Sequence, residues 1–140
     1  MGLFNDKAEF EDVLGALVES LVQDPSVGPK LARSKLIVRL EFTDPDTQIT
    51  MNFKDTLPAG QNYVWGDTPW EPDVAFRQPA EFSNRFWQGK VNVLVALAKR
   101  QVSARGNIAK ALALVPAIQP AFRIYPQVLR RLGKSHLIVA

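Results

Sequence analysis

Few side chains in this 140-residue chain have the types and spacing that chemistry needs. There is no cysteine, which removes a thiolate nucleophile, a thiolate metal site and a disulfide framework. His136 is the only histidine, so any Ser-His pair, His general base or His metal cluster would have to rest on it. It lies near the C-terminus in a segment expected to be a mobile tail (133–140, outside a core of about 6–132), and it is assigned no role. Asp44 and Asp46 suggest calcium, but the spaced acidic series and terminal Glu of a calcium loop are missing and a turn explains both. Glu9, Asp12 and Glu41 could pair for acid–base work, yet each falls on a polar face. No G-x-S-x-G, glycine-rich phosphate loop or H-E-x-x-H occurs. The expectation is a non-catalytic protein with no metal and no cofactor.

Charge is the second source of chemistry. Residues 1–24 hold six acids and one base, and residues 25–81 hold eight acids and six bases. Residues 82–140 hold ten bases and no acid. Such a basic half suits an anionic partner: a phospholipid headgroup layer, an acyl-CoA or nucleic acid. The competing reading is an internal dipole, with the acidic N-terminal helix packed near the basic half. A nucleic-acid partner is not expected, because Phe82, Phe86, Trp87, Phe122 and Tyr125 fall mostly on helical core positions rather than on an exposed stacking surface. Trp70, in a Pro-rich loop, is expected to be exposed and Trp87 to be core. No apolar run approaches the ~20 residues of a membrane span. The N-terminus is acidic and lacks the apolar core of a signal peptide, so a soluble cytoplasmic protein is expected.

The elements that must position these residues follow from periodicity. Phe10, Val13, Leu14, Leu17, Val18 and Leu21 recur at helical spacing, with Asp6 and Glu9 placed like a capping box, and predict a helix over 6–23. From Lys35 the period is two: Leu36, Val38, Leu40 and Phe42 face one way, and the turn 43–46 leads to Ile49, Met51 and Phe53 on a returning strand. Further strands are expected over 61–65 and 73–78. Two short helices follow, from Pro79 to Gly89 and over 92–100, then a fifth strand over 101–105. Helices beginning at Gly106–Asn107 and about Gln119 complete the chain. Contiguous strands followed by helices make an α+β pattern in a single domain.

Several segments in this order resemble the sterol carrier protein 2 family. They are Asp24-Pro25 with Val27-Gly28, Leu36 to Leu40, Thr43 to Asp46, Pro72 to Val74, Phe86 to Lys90, Ala96 to Ala98 and Val102 to Gly106. The resemblance covers roughly residues 10–130. It departs at Arg100–Gln101, where this family often has a glycine before the fifth strand. It implies a five-stranded, mostly antiparallel sheet covered on one face by about five helices, with an apolar cavity between. It also implies carriage of fatty acids, acyl-CoAs, sterols or phospholipids without catalytic residues.

The expected cavity lining is Met51, Phe53, Phe76, Phe82, Phe86, Leu94 and Leu97, with Leu112, Val115, Ile118 and Phe122 from the C-terminal helices. Gln101, Arg105 and Gln127 are expected near a mouth, against a headgroup or a membrane. The partner is then a small apolar lipid, with transient contact at an anionic membrane surface. Two other functions share the fold: an accessory module that presents lipid to an enzyme or scaffolds a complex, and a cavity enzyme such as an isomerase. The last requires an ionisable group inside the cavity, and the inward positions supply none.

Overall fold

The computed structural model describes residues 3–55, 57–58 and 60–139. Helix α1 (Lys7–Gln23) begins where the Asp6 carboxylate accepts the Glu9 N–H at 2.8 Å. The capping box is not closed in the usual way: Glu9 accepts from Asn5, one residue earlier than the cap, through its N–H at 3.0 Å and its side-chain amide at 3.2 Å. The α1 face expected from the periodicity is buried at all six positions.

A second helix, α2 (Val27–Ser34), was not expected. Asp24 ends α1 and also starts α2, accepting from the Ser26 and Val27 N–H groups at 2.8 and 3.0 Å. Pro29 sits in the first turn, where a missing N–H costs nothing. Gly28 is required because a Cβ there would collide with the Val22 carbonyl oxygen, where the two helices approach most closely.

The sheet has five strands: β1 (Ile37–Thr43), β2 (Thr47–Asn52), β3 (Tyr63–Trp65), β4 (Val74–Pro79) and β5 (Ser103–Gly106). Their order is β3-β2-β1-β4-β5. β1 pairs with β4 in parallel and every other pairing is antiparallel. Asp73 locks the parallel pair, accepting the Ile37 N–H on its carboxylate and donating its own N–H to the Ile37 carbonyl, both at 2.8 Å. The helices are α3 (Ala80–Phe86), α4 (Val93–Ala98), α5 (Ile108–Leu112) and α6 (Ala121–Arg131), with 3-10 turns at Pro116–Ile118 and Ser135–Leu137. This is the expected α+β architecture, with six α-helices rather than about five.

Alternation sorts the sheet into two faces. Val38, Leu40, Phe42, Ile49, Val74 and Phe76 point to the helices, and the Phe10 ring packs edge-on to Phe42 at 4.7 Å. The other face is polar but not wholly wet. Thr50 and Asn52 are buried there: the Arg39 guanidinium donates to the Thr50 hydroxyl at 2.9 Å and to the Trp70 carbonyl at 3.1 Å. Trp70 is therefore half-buried rather than exposed.

The C-terminal segment corrects another expectation. Residues 133–139 are docked, not mobile. Leu137 is buried, and its carbonyl accepts from the Asn84 and Gln88 side-chain amides at 2.9 and 3.1 Å. Val139 donates to Gln88 at 2.7 Å, and Lys134 pairs with Glu9 of α1 at 2.6 Å. His136 is exposed on this docked turn.

Candidate ligand cavity

Between the inner sheet face and the helices lies a cavity of about 120 Å³. Twenty of the described residues line it and nineteen are apolar; the exception is Gln78 on β4. The cavity exists because the elements around it are short. α4 and α5 have six and five residues, and each fully buries a single alanine, Ala96 or Ala111. Alanines hold the helices in place but do not fill the space beneath them.

Eight of the eleven residues expected to line a cavity do so. Met51, Phe53 and Phe76 come from the sheet side, Phe82 and Phe86 from α3, and Leu112, Val115 and Ile118 from the segment after β5. Three do not. Leu94 points to solvent, 60% exposed, because Ala96 rather than Leu94 is the inward residue of α4. Leu97 packs into a satellite cluster with Phe82, Ala96 and Val102. Phe122 stacks edge-on to Phe86 at 6.2 Å and covers Gly89.

The residues expected at a headgroup are also elsewhere. Gln101 and Gln127 are exposed and absent from the lining. Arg105 lies on the outer sheet face, bidentate to Glu41 at 3.1 and 2.6 Å. That contact holds the Glu41 carboxyl below the ordinary carboxylate value. β5 alternation decides this: Ala104 opposes inward Phe76, so Arg105 must face out.

Sequence reasoning missed the α1 and α2 side of the lining: Val18, Leu21, Val22 and Leu31. Their spacing marks them as buried, but burial against a cavity and burial against a neighbour leave the same pattern. Trp87 also lines the cavity, its indole N–H donated to the Ser83 hydroxyl at 3.1 Å. No charged side chain lines the cavity, and no group of three or more metal-ligating side chains occurs among the described residues. Among the described residues, no helix is long and apolar enough to cross a membrane.

A mixed five-stranded sheet with helices enclosing an apolar cavity defines a class of small ligand-holding α+β domains. The chain belongs to the SCP-2 sterol transfer family, which matches residues 15–119 and places it among lipid-binding and lipid-transfer proteins in general. Three solved structures show the same fold. The sterol carrier protein domain 2 of Helicoverpa armigera has a TM-score of 0.63 at 18% identity, over 87% of this chain and 96% of that one. Palmitated SCP2L2 from Aedes aegypti has a TM-score of 0.55 at 20% identity, over 77% and 92%. The UbiJ-SCP2 ubiquinone synthesis protein has a TM-score of 0.56 at 15% identity, over 86% and 96%. No curated protein matches the chain.

Proposed function

We propose that the chain is a lipid carrier that shelters an apolar chain or ring system in this cavity, without chemical turnover. The observation that carries the reading is the lining itself, nineteen apolar side chains and one amide. Such a surface offers a ligand little except removal from water. At about 0.8 kcal/mol per buried methylene, ten methylenes supply ~8 kcal/mol before the costs of association. The palmitated structure from Aedes aegypti is a fold neighbour that holds a fatty acyl chain.

The cavity is smaller than the roughly 300–1,000 Å³ of most ligand pockets. Admission of a lipid therefore requires the walls to part, and the weakly anchored α4 and α5 are the walls that give. Val93, Leu112 and Val115 line the cavity from that side and are half-buried. On the outside of α4, Leu94 and Val95 are exposed, flanked by exposed Lys90, Lys99 and Arg100. Apolar side chains ringed by bases fit the surface of an anionic bilayer, so the entrance and the membrane contact share one edge.

Calorimetry and dye displacement with fatty acids, acyl-CoAs and sterols test the reading. Micromolar or tighter binding of at least one class is expected, and no binding by the folded protein across all three sinks it. A thioesterase, isomerase or lipase activity that survives repurification and disappears on one substitution would overturn the absence of turnover. A second reading, presentation of lipid to an enzyme, draws on the ubiquinone synthesis protein among the fold neighbours. A constant protein partner recovered with an empty cavity would favour it.

A further inference from the structure

Gln78 is the one polar side chain among the described cavity residues. Strand alternation sets its direction: it shares parity with inward Val74 and Phe76, while Arg77 between them is exposed on the outer face. It is 8% exposed, so more than nine-tenths of it is buried. The buried polar side chains nearby are committed. Asn84 and Gln88 hold the Leu137 carbonyl, and the Trp87 indole is bonded to Ser83. Gln78 makes no side-chain hydrogen bond among the described residues, although its amide carries two donors and an acceptor. Its amide faces the cavity space without a side-chain partner, so a ligand that fills that space either supplies a hydrogen bond or leaves the amide dry.

The rest of the lining decides which group supplies that bond. No Asp, Glu, Lys, Arg or His faces the cavity. An ionised headgroup drawn in beside Gln78 would lose its hydration and meet no opposite charge. A hydroxyl or carbonyl oxygen loses far less and regains a hydrogen bond from the amide. We propose that Gln78 is the polar anchor of the cavity, and that it selects lipids whose buried polar atom is an uncharged oxygen, a hydroxyl or a carbonyl, over lipids with an ionised headgroup. This rests on the carrier reading and narrows its ligand class.

Four probes of matched chain length test it by displacement of Nile red: decane, decanol, methyl octyl ketone and decanoate at pH 8. The wild-type protein is expected to bind decanol and the ketone about 3- to 10-fold more tightly than decane, the margin of one neutral hydrogen bond. Gln78→Met keeps length and removes the amide, so it should erase that margin, bind decane no more weakly than wild type does and melt no lower than wild type. Decanoate should change less than twofold on substitution, because its carboxylate stays at the mouth. Decanol preference that survives in Gln78→Met overturns the anchor, as does a lower melting temperature with decane binding intact, which marks a structural role. Loss of decanoate equal to that of decanol overturns the selection for uncharged groups. Equal wild-type binding of decane and decanol defeats the anchor alone, with no variant needed. Failure of the folded wild type to bind any of the four defeats the carrier reading as well.

Discussion

Single side chains in this molecule join distant parts of the chain. Glu9 at the start of α1 bonds Lys134 at 2.6 Å, across 125 positions of sequence. The Lys134 ammonium, aided by the Asn5 N–H, holds the Glu9 carboxyl below its ordinary value of 4.5. A carboxylate depressed in the native state contributes stability above its unfolded value and loses it as pH falls through the folded one. Glu9→Gln is therefore expected to cost about 1 kcal/mol at pH 7, the upper range for a partly exposed pair. The gap from wild type should narrow as pH falls below 4.5, and urea denaturation over a pH series checks this. A gap that does not change with pH would assign the effect to packing instead. Gly106 acts through the backbone. It has φ +93°, and a Cβ there would strike the carbonyl oxygen of Asp73, the residue before β4. Gly106→Ala should cost at least about 2 kcal/mol in thermal melts, combining an unfavourable left-handed conformation with displacement of β5. Arg100 adopts φ +60° in the turn before β5, a left-handed conformation that glycine adopts more readily.

At the scale of elements, α3, α6 and the C-terminal turn are joined by one buried polar network. The Tyr125 hydroxyl of α6 donates to the Asn84 side-chain oxygen at 2.7 Å, and Asn84 and Gln88 hold the Leu137 carbonyl. Burial pushes the Tyr125 phenol well above its usual value, so it remains a donor throughout the accessible pH range. Tyr125→Phe removes the donor and leaves the Asn84 oxygen buried and unpaired, at an expected cost of about 1–3 kcal/mol. Faster amide exchange at Val139 should accompany it, because the network bonds that residue through Gln88. A stability loss without faster exchange there would show that the network does not hold the terminal segment.

At the scale of the whole molecule, charge is settled partly inside the fold and left partly exposed. Part of the basic half is neutralised internally: Lys134 by Glu9, Arg105 by Glu41. The internal reading of the asymmetry holds in part, through the Lys134 pair with the N-terminal helix. Lys90, Lys99 and Arg100 form no ion pair among the described residues and surround exposed Leu94 and Val95. Each base near an anionic surface contributes about 1 kcal/mol within a Debye length of ~8 Å at physiological salt. Lipid transfer should therefore be faster to anionic than to neutral vesicles at low salt, and the difference should shrink at high salt. Leu94→Glu should reduce the anionic rate without changing lipid affinity, since Leu94 does not line the cavity. Equal stopped-flow rates in all four vesicle and salt conditions would mean that delivery proceeds by diffusion through water.

Local pattern determined a good deal by itself. The buried face of α1, the alternation of β1 and β2 and the α+β order were legible because a repeat of 3.6 or 2 reports which side of an element is dry. The same rule makes Phe53 and Phe76 inward residues. Other features depended on contacts between segments remote in sequence. Leu94 and Ala96 compete for the inside of α4, and the smaller residue takes it, packed against Phe82 and Val102, which a six-residue pattern does not record. Arg105 seemed available for a headgroup until pairing with β4 turned it outward onto Glu41. Helix α2 was hidden by Gly28 and Pro29, both poor helix formers, and the close approach to Val22 shows why glycine is there. Val18, Leu21 and Leu31 show the deeper reason. Hydrophobicity records that a side chain leaves water, and only the packing of all elements together determines whether it meets another side chain or an empty space.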